Sequence, residues 1–164
     1  MRMDFTASTT AVLNAVTDIP TDILIAAAII VVGFLDGFTA GAFRASTAAL
    51  ALIAAVSLTS LVPGALILGS ATAGIGAGFI ILALAALLYA IIRRLTDPYG
   101  YGGGIVSGIL GGIGLAAVVL GVWLATPALI ALWPFGPLVQ GICAESYRLF
   151  IVLGGLTALA FARG

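Results

Sequence analysis

Arg93–Gly112 reads RRLTDPYGYGGGIVSGILGG, and its three charges separate two long stretches, 45–92 and 98–144, that contain no Asp, Glu, Lys or Arg. Gly100, Gly104, Gly108 and Gly112 recur at every fourth position, the spacing that stacks side chains along one edge of an α-helix. Arg93, Arg94 and Asp97 followed by a glycine edge read as a cytoplasmic loop feeding a closely packed membrane helix.

The rest of the chain supports that reading. Of 164 residues, 63% are hydrophobic, and the 6 Arg and 6 acidic residues leave no charged face for a soluble core. A helix crossing a bilayer needs about 20 mostly apolar residues, and the two uncharged stretches are each longer than that. The expected fold is an all-α, polytopic membrane helical bundle. The net charge is zero and there is no basic cluster, so the expected partners exclude nucleic acid and begin with the lipid bilayer.

Four spans are expected, plus a fifth hydrophobic segment. Asp18, Pro20 and Asp22 carry helix-start chemistry, since a carboxylate accepts free backbone N–H groups and proline tolerates the first turn. The first span then runs from about Thr21 to Gly41; one Arg and two Asp precede it and a third, Asp22, opens it, which argues against a cleaved signal peptide ending at Ala40-Gly41-Ala42. Arg44 marks the first loop, Ala45–Val62 the second span, Pro63-Gly64 its stop, and about Gly64–Ala73 a shallow uncharged turn. Gly74–Ile92 is the third span and about Gly104–Ala125 the fourth, with Trp123 as an interface anchor. Pro127, Pro134, Gly136 and Pro137 break the next stretch, which lies along the interface or dips into the protein. Leu149–Ala162 is short at 14 residues: it either spans, with Arg148 and Arg163 reaching opposite headgroup layers, or packs against the bundle. The N-terminal segment 1–20 has Phe5, Val12, Val16 and Ile19 at helical spacing and reads as an extracytoplasmic, interfacial helix. The chain thus divides into 1–20, a membrane domain over 21–125, and an interfacial loop with a hydrophobic helix over 126–164.

Two glycine ladders stand out: Gly33, Gly37 and Gly41, and Gly104, Gly108 and Gly112. A helical glycine costs about 1 kcal/mol relative to alanine in water, so such runs point to close backbone packing. The seam joins helix one to helix four or joins two copies of the chain; a conduction path lined by small residues is the alternative. Gly100-Tyr101-Gly102 reads as a flexible loop and not an ion filter, because Pro98-Tyr99 precedes it and Arg93 and Arg94 would repel cations. Asp36 lies near the cytoplasmic end of the first span. It either pairs with Arg44, Arg93 or Arg94 at a cytoplasmic rim that also holds Asp97, or stands exposed at headgroup level.

Nothing in the sequence forms a catalytic constellation. Histidine is absent, the acids are scattered, and the 22 glycines form neither a dinucleotide fingerprint nor a P-loop. No catalytic, cofactor-binding or metal residue is assigned, and a non-enzymatic role is expected. Cys143 is the single cysteine, which rules out a disulfide within one chain and reads as an apolar filler.

The pattern resembles the bacterial colicin V production protein (CvpA) family of small inner-membrane proteins. Asp22 stands at the start of helix one, and an Arg-Gly-x-x-Arg-Glu-like motif appears as Ala40-Gly41-Ala42-Phe43-Arg44-Ala45. An Asp-led loop and a Gly-x-x-x-Gly-x-x-Arg-Gly entry to helix four appear as Asp97 and Gly104-Ile105-Val106-Ser107-Gly108-Ile109-Leu110-Gly111-Gly112. The first motif lacks its leading Arg and its Glu, and Gly111 stands where the family has arginine. The resemblance covers about 21–125 and implies an inner-membrane protein supporting colicin V-type export or envelope maintenance. The alternatives are an accessory structural subunit of a larger membrane complex and a small channel or transporter. Expected protein partners are further copies of the chain or other membrane subunits.

Arg44, Arg93 and Arg94 fall in loops on one side, which the positive-inside rule assigns to the cytoplasm, with the N-terminus outside. A reporter fused after Arg94 is expected to behave as cytoplasmic; extracytoplasmic behaviour there would overturn the topology.

Overall fold

A computed structural model describes residues 20–59, 75–95 and 104–163. Among the described residues there are seven helices and no strand: α1 (Thr21–Ala40), α2 (Phe43–Leu58), α3 (Ile75–Leu95), α4 (Ile105–Ala125), α5 (Pro127–Leu132), α6 (Pro137–Ile142) and α7 (Glu145–Arg163). The expected N-terminal interfacial helix, the 64–73 turn, Asp97 and Gly100-Tyr101-Gly102 lie outside the described residues.

Four helices, α1, α3, α4 and α7, are long and apolar enough to cross a membrane. The chain is a multi-pass membrane protein; among the described residues three of these are expected spans, the C-terminal segment is the fourth, and the second expected span, Ala45–Val62, is described only as far as residue 59. The second expected span appears as α2, 16 residues long, about 24 Å at 1.5 Å per residue against a hydrocarbon core of about 30 Å. The C-terminal segment instead extends backwards to Glu145, giving 19 residues and about 28 Å. Its first turn carries Glu145, Tyr147 and Arg148, which end an apolar run in sequence but suit a helix end at headgroup depth.

α4 is the inner helix. Gly33 and Gly37 of α1 lie against Gly112 and Gly108: a methyl at Gly33 would stand 2.9 Å from the Gly112 Cα, and one at Gly37 would stand 2.6 Å from the Ser107 carbonyl oxygen. Low numbers of α1 meet high numbers of α4, so the two helices are antiparallel. A second side of α4 carries α7. A methyl at Gly114 or at Gly155 would each come within 2.8 Å of the other's carbonyl oxygen, a methyl at Gly121 would collide with Val152, and the Ser107 hydroxyl donates to the Ala162 carbonyl at 2.9 Å. This pair is antiparallel too. Ser107, Gly114 and Gly121 are spaced by seven, the interval at which a helix returns to one face.

α2 closes the bundle with larger side chains. Ala45, Ala49, Leu52 and Ala55 pack with Ile81 of α3, Val118 and Val122 of α4, Leu129 of α5 and Leu159 of α7 in one buried cluster. The broken stretch after α4 forms α5 and α6, each opening on a proline in its first turn, where the missing N–H costs nothing. Gly78 of α3 receives α5: a methyl there would stand 2.6 Å from the Ala128 carbonyl oxygen.

These contacts separate substitutions that look alike. Gly112→Ala puts a methyl 2.5 Å from the Ile30 carbonyl oxygen, a backbone atom that has no rotamer by which to escape, and is expected to cost about 1–3 kcal/mol. Gly154→Ala meets nothing within 4 Å and is expected to leave thermal stability in detergent unchanged or slightly raised. Equal melting temperatures for the two variants would contradict the packing.

Candidate functional site

The best-defined polar site forms where α1 turns into α2. Gly41 has φ 74°, ψ 166°, backbone that a residue with a Cβ rarely adopts, and it reverses the chain within Gly41-Ala42. α2 therefore begins at Phe43, and Arg44 is the second residue of a helix, not a loop residue. This puts its guanidinium back against the last turn of α1, where Nη1 donates to Asp36 Oδ1 at 3.3 Å. Of the three arginines expected as partners, Asp36 takes the nearest in sequence. The pair is open to the surroundings, with the Arg44 side chain 46% and the Asp36 side chain 23% exposed.

α1 packs on α4 and α2, while α3 packs on α2 and α5, which leaves an open cleft of about 640 Å³ between α1 and α3. Val32, Leu35, Ala48 and Leu115 give it apolar walls, and Asp36, Thr39, Arg44 and Tyr89 give it a polar edge. Tyr89 lies one turn before Arg93 and Arg94, which are exposed in the last turn of α3, where cations suit the carbonyl end of a helix. Arg44, Arg93 and Arg94 thus share one end of the bundle, together with the start of α4 and the end of α7.

The opposite end holds Asp22, Glu145 and Arg148. The sequence suggests that Asp22 caps its own helix, but the helix starts at Pro20 without a side-chain cap. The carboxylate instead accepts from the Gly136 backbone N–H and from Trp133 Nε1 at 3.3 Å. It latches the start of α1 to the 133–136 turn. Trp123, expected at the interface, donates Nε1 to the Trp133 carbonyl at 3.1 Å and meets Phe135 edge to face at 6.0 Å between ring centroids. Cys143 is buried with Leu124, Phe135 and Val139. Burial pushes its thiol up from the ordinary range while the Arg148 charge opposes this, so it stays protonated at neutral pH.

Among the expected packing residues, Gly33, Gly37, Gly108 and Gly112 meet across α1 and α4, joined by Gly111. Gly41 acts through its backbone in the turn, and Gly104 is the extended residue before α4 with nothing within 4 Å of a would-be methyl. The ladder therefore starts one turn later than its sequence pattern. Sequence reasoning missed Gly78, Gly114, Gly121 and Gly155; the seven-residue interval from Ser107 to Gly121 was the available signal.

Neither the clefts nor the rims gather the groups that hold a metal: among the described residues no three His, Cys, Asp or Glu side chains converge. What the Asp36–Arg44 arrangement supplies is a fixed dipole and spare guanidinium donors at the mouth of an apolar cleft. Because the pair is half exposed, a double-mutant cycle of Asp36→Asn and Arg44→Gln is expected to give a coupling of about 0.2–1 kcal/mol. A coupling indistinguishable from zero would mean the contact contributes nothing to the fold.

No family model, curated protein or solved structure matches the chain.

Proposed function

We propose that the chain is a non-enzymatic, CvpA-like protein of the bacterial inner membrane that supports colicin V-type export or envelope maintenance as a packed scaffold. Its arginine-rich end faces the cytoplasm and its N-terminus faces outward. The observation that carries the scaffold reading is the placement of charge. Asp36, Arg44, Arg93 and Arg94 lie at one end, and Asp22, Glu145 and Arg148 at the other, so the middle of every described span is free of ionisable acids and bases. Ion- or proton-coupled transport generally relies on such groups near mid-membrane.

The family part of the reading rests on the Gly41–Arg44 turn and on the glycine-led entry to α4. In the fold, Gly111 faces α1, with a would-be methyl 3.3 Å from the Gly33 carbonyl oxygen. A larger side chain there would meet the α1 backbone, so glycine suits this buried position. The second reading, an accessory subunit, draws on the outer side of α1, where Val31, Val32, Leu35 and Phe38 are all about half exposed.

Expression in a colicin V-producing bacterium that lacks its own CvpA-like protein is expected to restore colicin V release over an empty vector. Failure to restore it, by protein shown to be in the membrane, would contradict the family reading. A stoichiometric large complex after mild-detergent purification would favour the accessory subunit instead.

A further inference from the structure

A second cleft, of about 380 Å³, opens where the C-terminal ends of α2 and α4 meet the first turns of α7. Ile53, Val56 and Val122 line it, and Arg148, Ser57 and Thr126 supply its polar groups. Arg148 is the fourth residue of a span and partly buried. Its guanidinium cannot lose its proton, yet among the described residues no carboxylate lies within 4.0 Å of it, and Glu145, one turn back, is exposed. Among the described residues its Nε donates to the Cys143 carbonyl, at 3.5 Å, the limit of a hydrogen bond.

The contrast with the first cleft is instructive. There Asp36 already supplies the counter-charge to Arg44. Here a permanent cation stands beside apolar walls at headgroup depth, and among the described residues no carboxylate pairs with it, so it is open to an anion brought from outside. Guanidinium groups bind phosphate oxygens with paired, charge-assisted hydrogen bonds; the Ser57 and Thr126 hydroxyls beside it donate to the Ile53 and Val122 carbonyls at 3.1 and 2.8 Å, which leaves Arg148 as the donor for an anion. An anion held here has hydrocarbon side chains directly beneath it. The ligand matching both halves carries a phosphate and an acyl chain.

We propose that this cleft is a binding site for an anionic glycerophospholipid, its phosphate on Arg148 and one acyl chain along Ile53, Val56 and Val122. The proposal does not depend on the CvpA-like reading. The test is native mass spectrometry and thermal unfolding of the full chain in mild detergent, titrated with phosphatidylglycerol, phosphatidylcholine or inorganic phosphate. One phosphatidylglycerol per chain is expected, with phosphatidylcholine at least about tenfold weaker and inorganic phosphate without effect on melting. Arg148→Gln is expected to weaken phosphatidylglycerol retention by about tenfold or more. Ala125→Phe fills the cleft from α4 while leaving the cation in place, and is expected to do the same; Arg94→Gln, at the other end of the bundle, is expected to leave retention unchanged. Equal retention of the two lipids, or undiminished retention by Arg148→Gln, would overturn the proposal, as would protection by inorganic phosphate equal to that by lipid. If Arg148→Gln does not fold, unchanged retention by Ala125→Phe overturns it alone.

Discussion

The rest of the bundle depends on two close backbone approaches on one helix. Between lipid and protein there is no gain in burying apolar side chains from water, so helices in a bilayer associate through dispersion contacts and weak Cα–H···O contacts that need backbones to come near. α4 meets this requirement twice. Gly108, Gly111 and Gly112 admit α1, and Gly114 and Gly121, with Ser107, admit α7. Because both partners run antiparallel to α4, they are parallel to each other and flank it. α2 is then left to fill the third side with Ala and Leu, and α3 packs outside α2 through Ile81 and its neighbours.

That arrangement decides where polar groups end up. With α1 held against α4, two carboxylates on α1 find partners outside the glycine contacts. Asp36 meets Arg44 through the Gly41 reversal, and Asp22 meets the turn that follows α5. The exposed ion pair contributes little energy, about 1 kcal/mol at most. Asp22 counts for more, because a carboxylate that accepts two N–H groups holds a proline-broken segment of six-residue helices in place. The same geometry leaves gaps where helices diverge: between α1 and α3 at one end, and between α2 and α7 at the other.

Much of this was legible in the sequence, and the failures have physical causes. The absence of charge over 45–92 and 98–144 marks a membrane bundle, and four-residue glycine spacing marks one seam of α4. The other seam repeats every seven residues among Ala and Val, which are themselves small, so its glycines do not stand out. α7 reads as too short because Tyr147 and Arg148 interrupt the apolar run, although a helix end at headgroup depth accommodates both. Arg44 reads as a loop residue because a charge looks like a boundary, while the boundary is the positive φ of Gly41 three positions earlier. The partner of Asp22 is Gly136, a contact that no local pattern encodes. Clefts are places where side chains fail to meet, and periodicity does not register them.

The scaffold role we propose draws on the same constraint. A helix that gives both small-residue faces to its own neighbours has little left with which to line a conduction path, and the described charges stand at the ends of the bundle. The most direct measurement is cysteine cross-linking in native membranes, with Cys143→Ala as background. Ser107→Cys paired with Ala162→Cys is expected to cross-link readily, since the Ser107 hydroxyl lies 2.9 Å from the Ala162 carbonyl oxygen. Ser107→Cys paired with Arg148→Cys, at the other end of α7, is expected to give no product. Cross-linking of the second pair, or of neither, would contradict the antiparallel seating of α7 on α4.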